Sequence, residues 1–153
     1  MNRSDNELII AKSLKIISED EKFKEDLSIP NNMTFYSAVI SHAYYSIFYA
    51  AKALLILKGI KTSSPDIHRK TYEEFESKFV NTGIIDIKLL EIYKNIIIKA
   101  DTLLEIFKSE KWKRGNFTYN TLPQANKEPA QESINNSTLF VSSIFEIINK
   151  LKN

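Results

Sequence analysis

The chain has 153 residues, with a hydrophobic fraction of 43%, a charged fraction of 26% and a formal net charge of +2. That is the profile of one soluble globular domain spanning 1–153 with one sizeable core, and a charge so near neutrality supplies no global pull toward nucleic acid or membrane. Cysteine is absent, which excludes disulfides, thiolate metal sites and a cysteine nucleophile.

The opening MNRSDNELII lacks the charged start, apolar run and small-residue cleavage site of a signal peptide, so a cytoplasmic protein is expected. The first predicted helix opens on Ser4-Asp5-Asn6-Glu7, a capping-box pattern, and runs to about Asp26 with Ile10, Leu14 and Ile17 inward. The second, roughly 33–58, carries Tyr36, Ile40, Ala43, Ile47, Ala50, Leu54 and Leu57 at steps of 4, 3, 4, 3, 4, 3, one face of a helix. Its alanines let a neighbouring helix approach closely. Tyr44, Tyr45 and Tyr49 add polar-tipped aromatic surface beside the stripe, and a buried Tyr needs a hydroxyl partner. Its most apolar part, Ile47 to Leu57, is interrupted by Lys52 and falls below the ~20 residues of a membrane span.

The third helix, about 66–81, places Tyr72, Phe75 and Phe79 together, and the fourth, about 86–113, places Leu89, Tyr93, Ile96, Ala100, Leu103 and Phe107 on one face. The fifth, about 129–151, uses Ile134, Val141, Ile144, Ile148 and Leu151. Gly59, Gly83 and Gly115 each follow a helical pattern, and Pro30, Pro65, Pro123 and Pro129 fall between the periodic segments. FTYNTL at 117–122 comes nearest to a strand and is short and loop-flanked. The expected fold is all-α, an antiparallel up-and-down bundle of four to five helices.

Two segments in order, SHAYYSIFYAAKALLILKG (41–59) and DIHRKTYEEFESKFVNTG (66–83), resemble the HEPN domain family of prokaryotic helical bundles. The stretch RGNFTYNTLPQANKEPAQESINNSTLFVSSIFEII (114–148) is similar to small stand-alone members, so the resemblance covers roughly 35–150. It implies a homodimer. Catalytic members are metal-independent RNases that use an Arg with a His four to six residues later, meeting their copies across the dimer. Many members pair with a minimal nucleotidyltransferase as toxin and antitoxin.

On that resemblance the matching arginine is Arg114, and Tyr119 stands five residues on, where catalytic members have His. A guanidinium fork suits a scissile phosphate. A phenol with an ordinary pKa near ~10 is a poor general base at neutral pH. The nuclease motif therefore reads as degenerate, unless His42 on the second helix supplies the imidazole. Arg114 also suits the C-terminus of the fourth helix as a cationic cap. Some antitoxins of the family add nucleotide to a toxin tyrosine two residues past the His, and Tyr119 is out of that register.

Around Arg114, the residues Lys111, Trp112, Lys113 and Asn116, with Lys108 and Phe117, form a basic and aromatic cluster. Lysines neutralise phosphates and exposed rings stack on bases, so an RNA surface is expected there; a solvated helix end is the plainer account. His68 is expected to act structurally with the turn before it. No Glu-x-x-His pair, P-loop, GxGxxG or GxSxG occurs, so neither metal nor cofactor is expected.

Three readings follow. The first is a dimeric HEPN-like module with a degenerate ribonuclease motif, binding RNA, a nucleotide or a protein partner in a toxin–antitoxin or defence context. The second is an active metal-independent RNase toxin using Arg114, Tyr119 and His42. The third is a helical adaptor. The dimer interface is expected on the fourth and fifth helices or on the tyrosine face of the second.

Overall fold

The Tyr/Ala-rich segment becomes one helix of 22 residues, α3 (Tyr36–Leu57), and the other elements pack around it. The computed structural model describes residues 2–113 and 127–152, with 102–113 described as backbone. Before α3 come α1 (Asn2–Glu19) and the short α2 (Glu21–Asp26); after it come α4 (Ile67–Phe75), a π-helical turn (Glu76–Val80), α5 (Ile87–Lys113) and α6 (Lys127–Lys152). Among the described residues there are six α-helices and no strand, as an all-α bundle requires.

Contacts along the helices fix their directions. Ser4 meets Ser46, Glu7 meets His42 and Tyr36 meets Glu19, so α1 and α3 are antiparallel. Lys99 pairs with Glu132 while Tyr93 packs on Phe140, so α5 and α6 are antiparallel as well. Lys127 at the start of α6 reaches Glu19 at the end of α1. One end of the bundle thus gathers the end of α1 and the starts of α3 and α6.

The expected stripe of α3 is buried from Tyr36 through Leu54, with Ala43, Ile47, Ala50 and Leu54 fully inaccessible; Leu57, at the helix end, is exposed. Val39, Ala51 and Leu55 are also fully inaccessible because helices lie on several sides of α3. By length and composition α3 is apolar enough to cross a membrane, but 56% of that window is buried inside the bundle, as in the core helix of a folded domain. Phe75, Tyr93 and Phe140 join α4, α5 and α6, with ring centroids 5.6–5.9 Å apart. Edge-to-face and tilted pairs of this kind contribute about 0.5–1.5 kcal/mol each beyond their buried area.

Besides Leu57, four expectations change. The first helix is two, because Asp20 leaves the helical conformation and caps α2, accepting from the Phe23 amide at 3.0 Å. The capping box does not form: α1 begins at Asn2, and the Ser4 hydroxyl donates to the Ser46 carbonyl at 2.8 Å. Ile10 is exposed rather than inward, and the buried face of α1 is Ser4, Leu8, Ala11 and Ser18. Leu151, placed in the core by periodicity, is exposed near the end of α6. Gly59 and Gly83 take positive φ of 76° and 73° past α3 and the π turn, the left-handed conformation expected of them.

Candidate functional site

His42 and His68 are the two histidines of the chain, and each is engaged. They lie in different places. His42, on α3, has Nδ1 2.7 Å from Glu7 Oε2 on α1, a half-buried pair. Next to it, Ser4 bonds the α3 backbone and the Arg3 guanidinium stacks over the Tyr49 ring at 4.3 Å. These contacts explain why the start of the chain is helical although its apolar pattern is weak: α1 is fixed to α3 by directed polar bonds.

His68 sits in the first turn of α4, where its Nδ1 meets the Tyr44 hydroxyl of α3 at 2.6 Å. Its ring packs on Phe48 at 4.3 Å, with Tyr44 and Tyr45 at 5.6 and 6.0 Å. Burial, followed by the nearby Lys52 ammonium, holds the imidazole below its usual range. Burial first, then Tyr45 and Asp101, pushes the Tyr44 phenol far above its own range. Both groups are therefore neutral at pH 7. The phenol is the better donor, which leaves the ring proton on Nε2.

The pair faces a cleft of about 460 Å³ between α3, α4 and α5, lined by Tyr44, His68, Arg69, Tyr72, Lys94, Ile97, Ile98 and Asp101. Its chemistry is mixed: an apolar wall from α5, two tyrosines, and both signs of charge. Arg69 is already bound to Asp66 at 3.3 Å and to Glu73 at 3.0 Å. Beneath Tyr72 lies Tyr93, fully buried, with its ring 5.4 Å from that of Tyr72 and its hydroxyl without a hydrogen-bond partner among the described residues. A pocket of this size with a few converging polar groups has the form of a ligand site.

Of the residues expected to act together, Arg114, Tyr119 and Asn116 lie outside the described residues, as does Gly115. Lys111, Trp112 and Lys113 form the last turn of α5, described as backbone. His42 is bonded to α1, so its described partner is a carboxylate on a helix other than α5. Among the described residues no group of His, Asp and Glu has a metal-binding arrangement.

The Tyr44–His68 pair was missed by sequence reasoning, which assigned His68 to the turn before it. The signal was the tyrosine pair itself, since a half-buried phenol needs a partner and only two imidazoles exist in the chain. Glu7 was missed because reading it as half of a capping box gave it a different partner.

A family model described as HEPN domain matches residues 16–148. A protein of Methanocaldococcus jannaschii named "Putative toxin MJ0142" is 36% identical over 77 residues, 50% of each chain. The Pyrococcus horikoshii protein named "UPF0332 protein PH1297" is 36% identical over 89 residues, 48% of this chain and 60% of that one. A second M. jannaschii protein, "Putative toxin MJ0605", is 31% identical over 116 residues, 76% of this chain and 73% of that one. The chain thus spans half the length of the first of these relatives and three fifths of the second. No solved structure matches it at a significant level.

Proposed function

The chain belongs to the HEPN domain family, and on that footing we propose that it is a cytoplasmic, dimeric module of the toxin class that binds RNA without cutting it. The observation that carries this reading is the engagement of both imidazoles. His42 is held by Glu7 and His68 by Tyr44, and Tyr119 stands where the family's catalytic pair would have its histidine. Metal-free cleavage of RNA needs a group that takes the 2′-hydroxyl proton and one that protonates the leaving oxygen. A phenol in place of the imidazole performs neither step well near neutral pH. The charge-stabilising half of the motif remains in Arg114, and Lys111, Trp112, Lys113 and Asn116 supply cations, a stacking ring and an amide around it. Pairing with a minimal nucleotidyltransferase as antitoxin belongs to the same reading.

The toxin names of two relatives favour a second reading, in which Arg114, Tyr119 and a released His42 cleave RNA. One experiment separates the two. A labelled RNA pool is incubated with the wild-type protein and with Arg114→Ala in EDTA, and both cleavage and retention on the protein are measured. Uncut RNA, retained by the wild type and released more readily by the variant and by added salt, supports the binding module. Cleavage by the wild type that is lost in Arg114→Ala establishes the nuclease. Light scattering at ~50 μM, far above micromolar dissociation constants, tests the dimer.

A further inference from the structure

α4 is held at its two ends by different means. Its C-terminal end and the π turn are anchored by Phe75 and Phe79, both fully inaccessible in the core. The N-terminal end starts at Asp66, in the left-handed region at φ 60°, and no side chain caps it. A left-handed start on a residue with a Cβ is intrinsically unfavourable, and four amides of a new helix lack internal partners. What fastens this end to α3 is His68, through the Tyr44 bond and the Phe48 and Tyr45 rings. Thr71 adds a hydroxyl contact to Thr62 of the preceding segment at 2.8 Å.

We propose that the Tyr44–His68 hydrogen bond is a proton-operated latch, holding the first turns of α4 against α3 at neutral pH and releasing them, with the segment before them, in mild acid. Protonation turns Nδ1 from acceptor to donor. The Tyr44 proton then loses its acceptor, and a cation must be carried at a half-buried position. The charged neighbours oppose it. Lys52 of α3, Arg69 of α4 and Lys94 of α5 carry positive charge on this side, against Asp101 of α5; Asp66 and Glu73 are bound to Arg69. Tyr45 and Tyr72, the other titratable groups of α3 and α4 there, are phenols.

The sign follows from the lowered imidazole. The released state takes up a proton near the ordinary value of 6.5, whereas the latched state does so at lower pH. Release is therefore favoured as pH falls below 6.5 through that window, and the latch is at full strength above it. Because His68 and Tyr72 line the cleft from α4, release opens the cleft wall, so that access to Lys94 and Asp101 on α5 becomes dependent on pH.

The test is hydrogen exchange on the full chain, read as protection factors so that the pH dependence of free-peptide exchange is removed. Between pH 7.5 and 5.5, protection at Lys70, Thr71 and Tyr72, the first amides of α4 with helical acceptors, should fall severalfold, while amides around Phe75 and Phe79 keep theirs. His68→Asn, which retains an acceptor near the Nδ1 position and does not titrate, should abolish that fall. Ring titration of His68 by NMR in the wild type, which needs no variant, should show the proton taken up below the value of a free imidazole. Protection at 70–72 that is unchanged with pH, a fall that persists in His68→Asn, or a His68 ring that titrates like a free imidazole would each overturn the latch.

Discussion

Glu7 Oε2 lies 2.7 Å from His42 Nδ1, and this bond ties the first helix of the chain to the helix at the centre of the bundle. It stands beside the Ser4 hydroxyl on the Ser46 carbonyl and the Arg3 guanidinium on the Tyr49 ring. All three are polar or cation–π contacts, on a helix that leaves Ile9, Ile10 and Ile16 exposed. The attachment of α1 is thus specific in register rather than strongly apolar.

Glu7→Gln should lower stability by about 1 kcal/mol, since a partly solvated pair contributes little more than a good hydrogen bond. Urea denaturation read as a midpoint shift at constant slope checks this. In the cleavage assay the same variant speaks to the nuclease reading: freeing His42 should produce no RNA cleavage in a binding module.

Tyr93→Phe should leave the protein as stable as before or raise its stability by up to about 1 kcal/mol. The hydroxyl is buried and has no hydrogen-bond partner among the described residues, and a buried polar group left unsatisfied costs about 1–3 kcal/mol. A lower urea midpoint for the variant would mean that a bound water or a ligand satisfies the hydroxyl.

Ala43→Leu should cost about 1–3 kcal/mol, because the residue has no accessible surface and a larger side chain must displace packed neighbours. For a chain of this size each kcal/mol moves the melting temperature by roughly 2–4 °C. Leu139→Ala on the exposed side of α6 should change it little. Equal effects of the two would contradict the packing around α3.

Glu19 joins three helices, bonding Lys15 at 2.6 Å, the Tyr36 hydroxyl at 3.4 Å and Lys127 at 3.6 Å. The Lys15 hydrogen bond, assisted by the charges of Lys15 and Lys127, holds its carboxyl below the usual 4.5. The contribution of Glu19 is therefore fully present above pH 4.5 and is lost as pH falls through the lowered value. Glu19→Gln should flatten the acid limb of a plot of stability against pH. An acid limb as steep as that of the wild type would remove Glu19 from the account.

What was legible in the sequence follows from how each helix packs. The stripe of α3 and the aromatic spacing of α4 could be read because large apolar side chains repeat where the core is, and Phe75, Phe79 and Tyr93 are all fully buried. α1 was misread in detail because its inner face uses Ser4, Ala11 and Ser18, which carry no apolar signal, while its isoleucines at 9, 10 and 16 face outward. Periodicity detects burial only when burial is apolar. Of the cleft, the tyrosine pair and His68 were legible as residue types, but their pairing across helices is set by tertiary geometry. Spacing along the chain does not encode it.

The length of α3 has a bearing on how the protein is made. A helix of 22 residues, apolar enough to cross a bilayer, acquires part of its cover from α6, which is synthesised well after it. At ~5–20 residues per second, synthesis from Leu57 to Lys127 takes some seconds, and for that interval the nascent chain presents a membrane-competent segment to lipid and to chaperones. A chain interrupted before α6 should then be recovered in the insoluble or membrane fraction, which makes the arrival of α6 the step that completes the cover of α3.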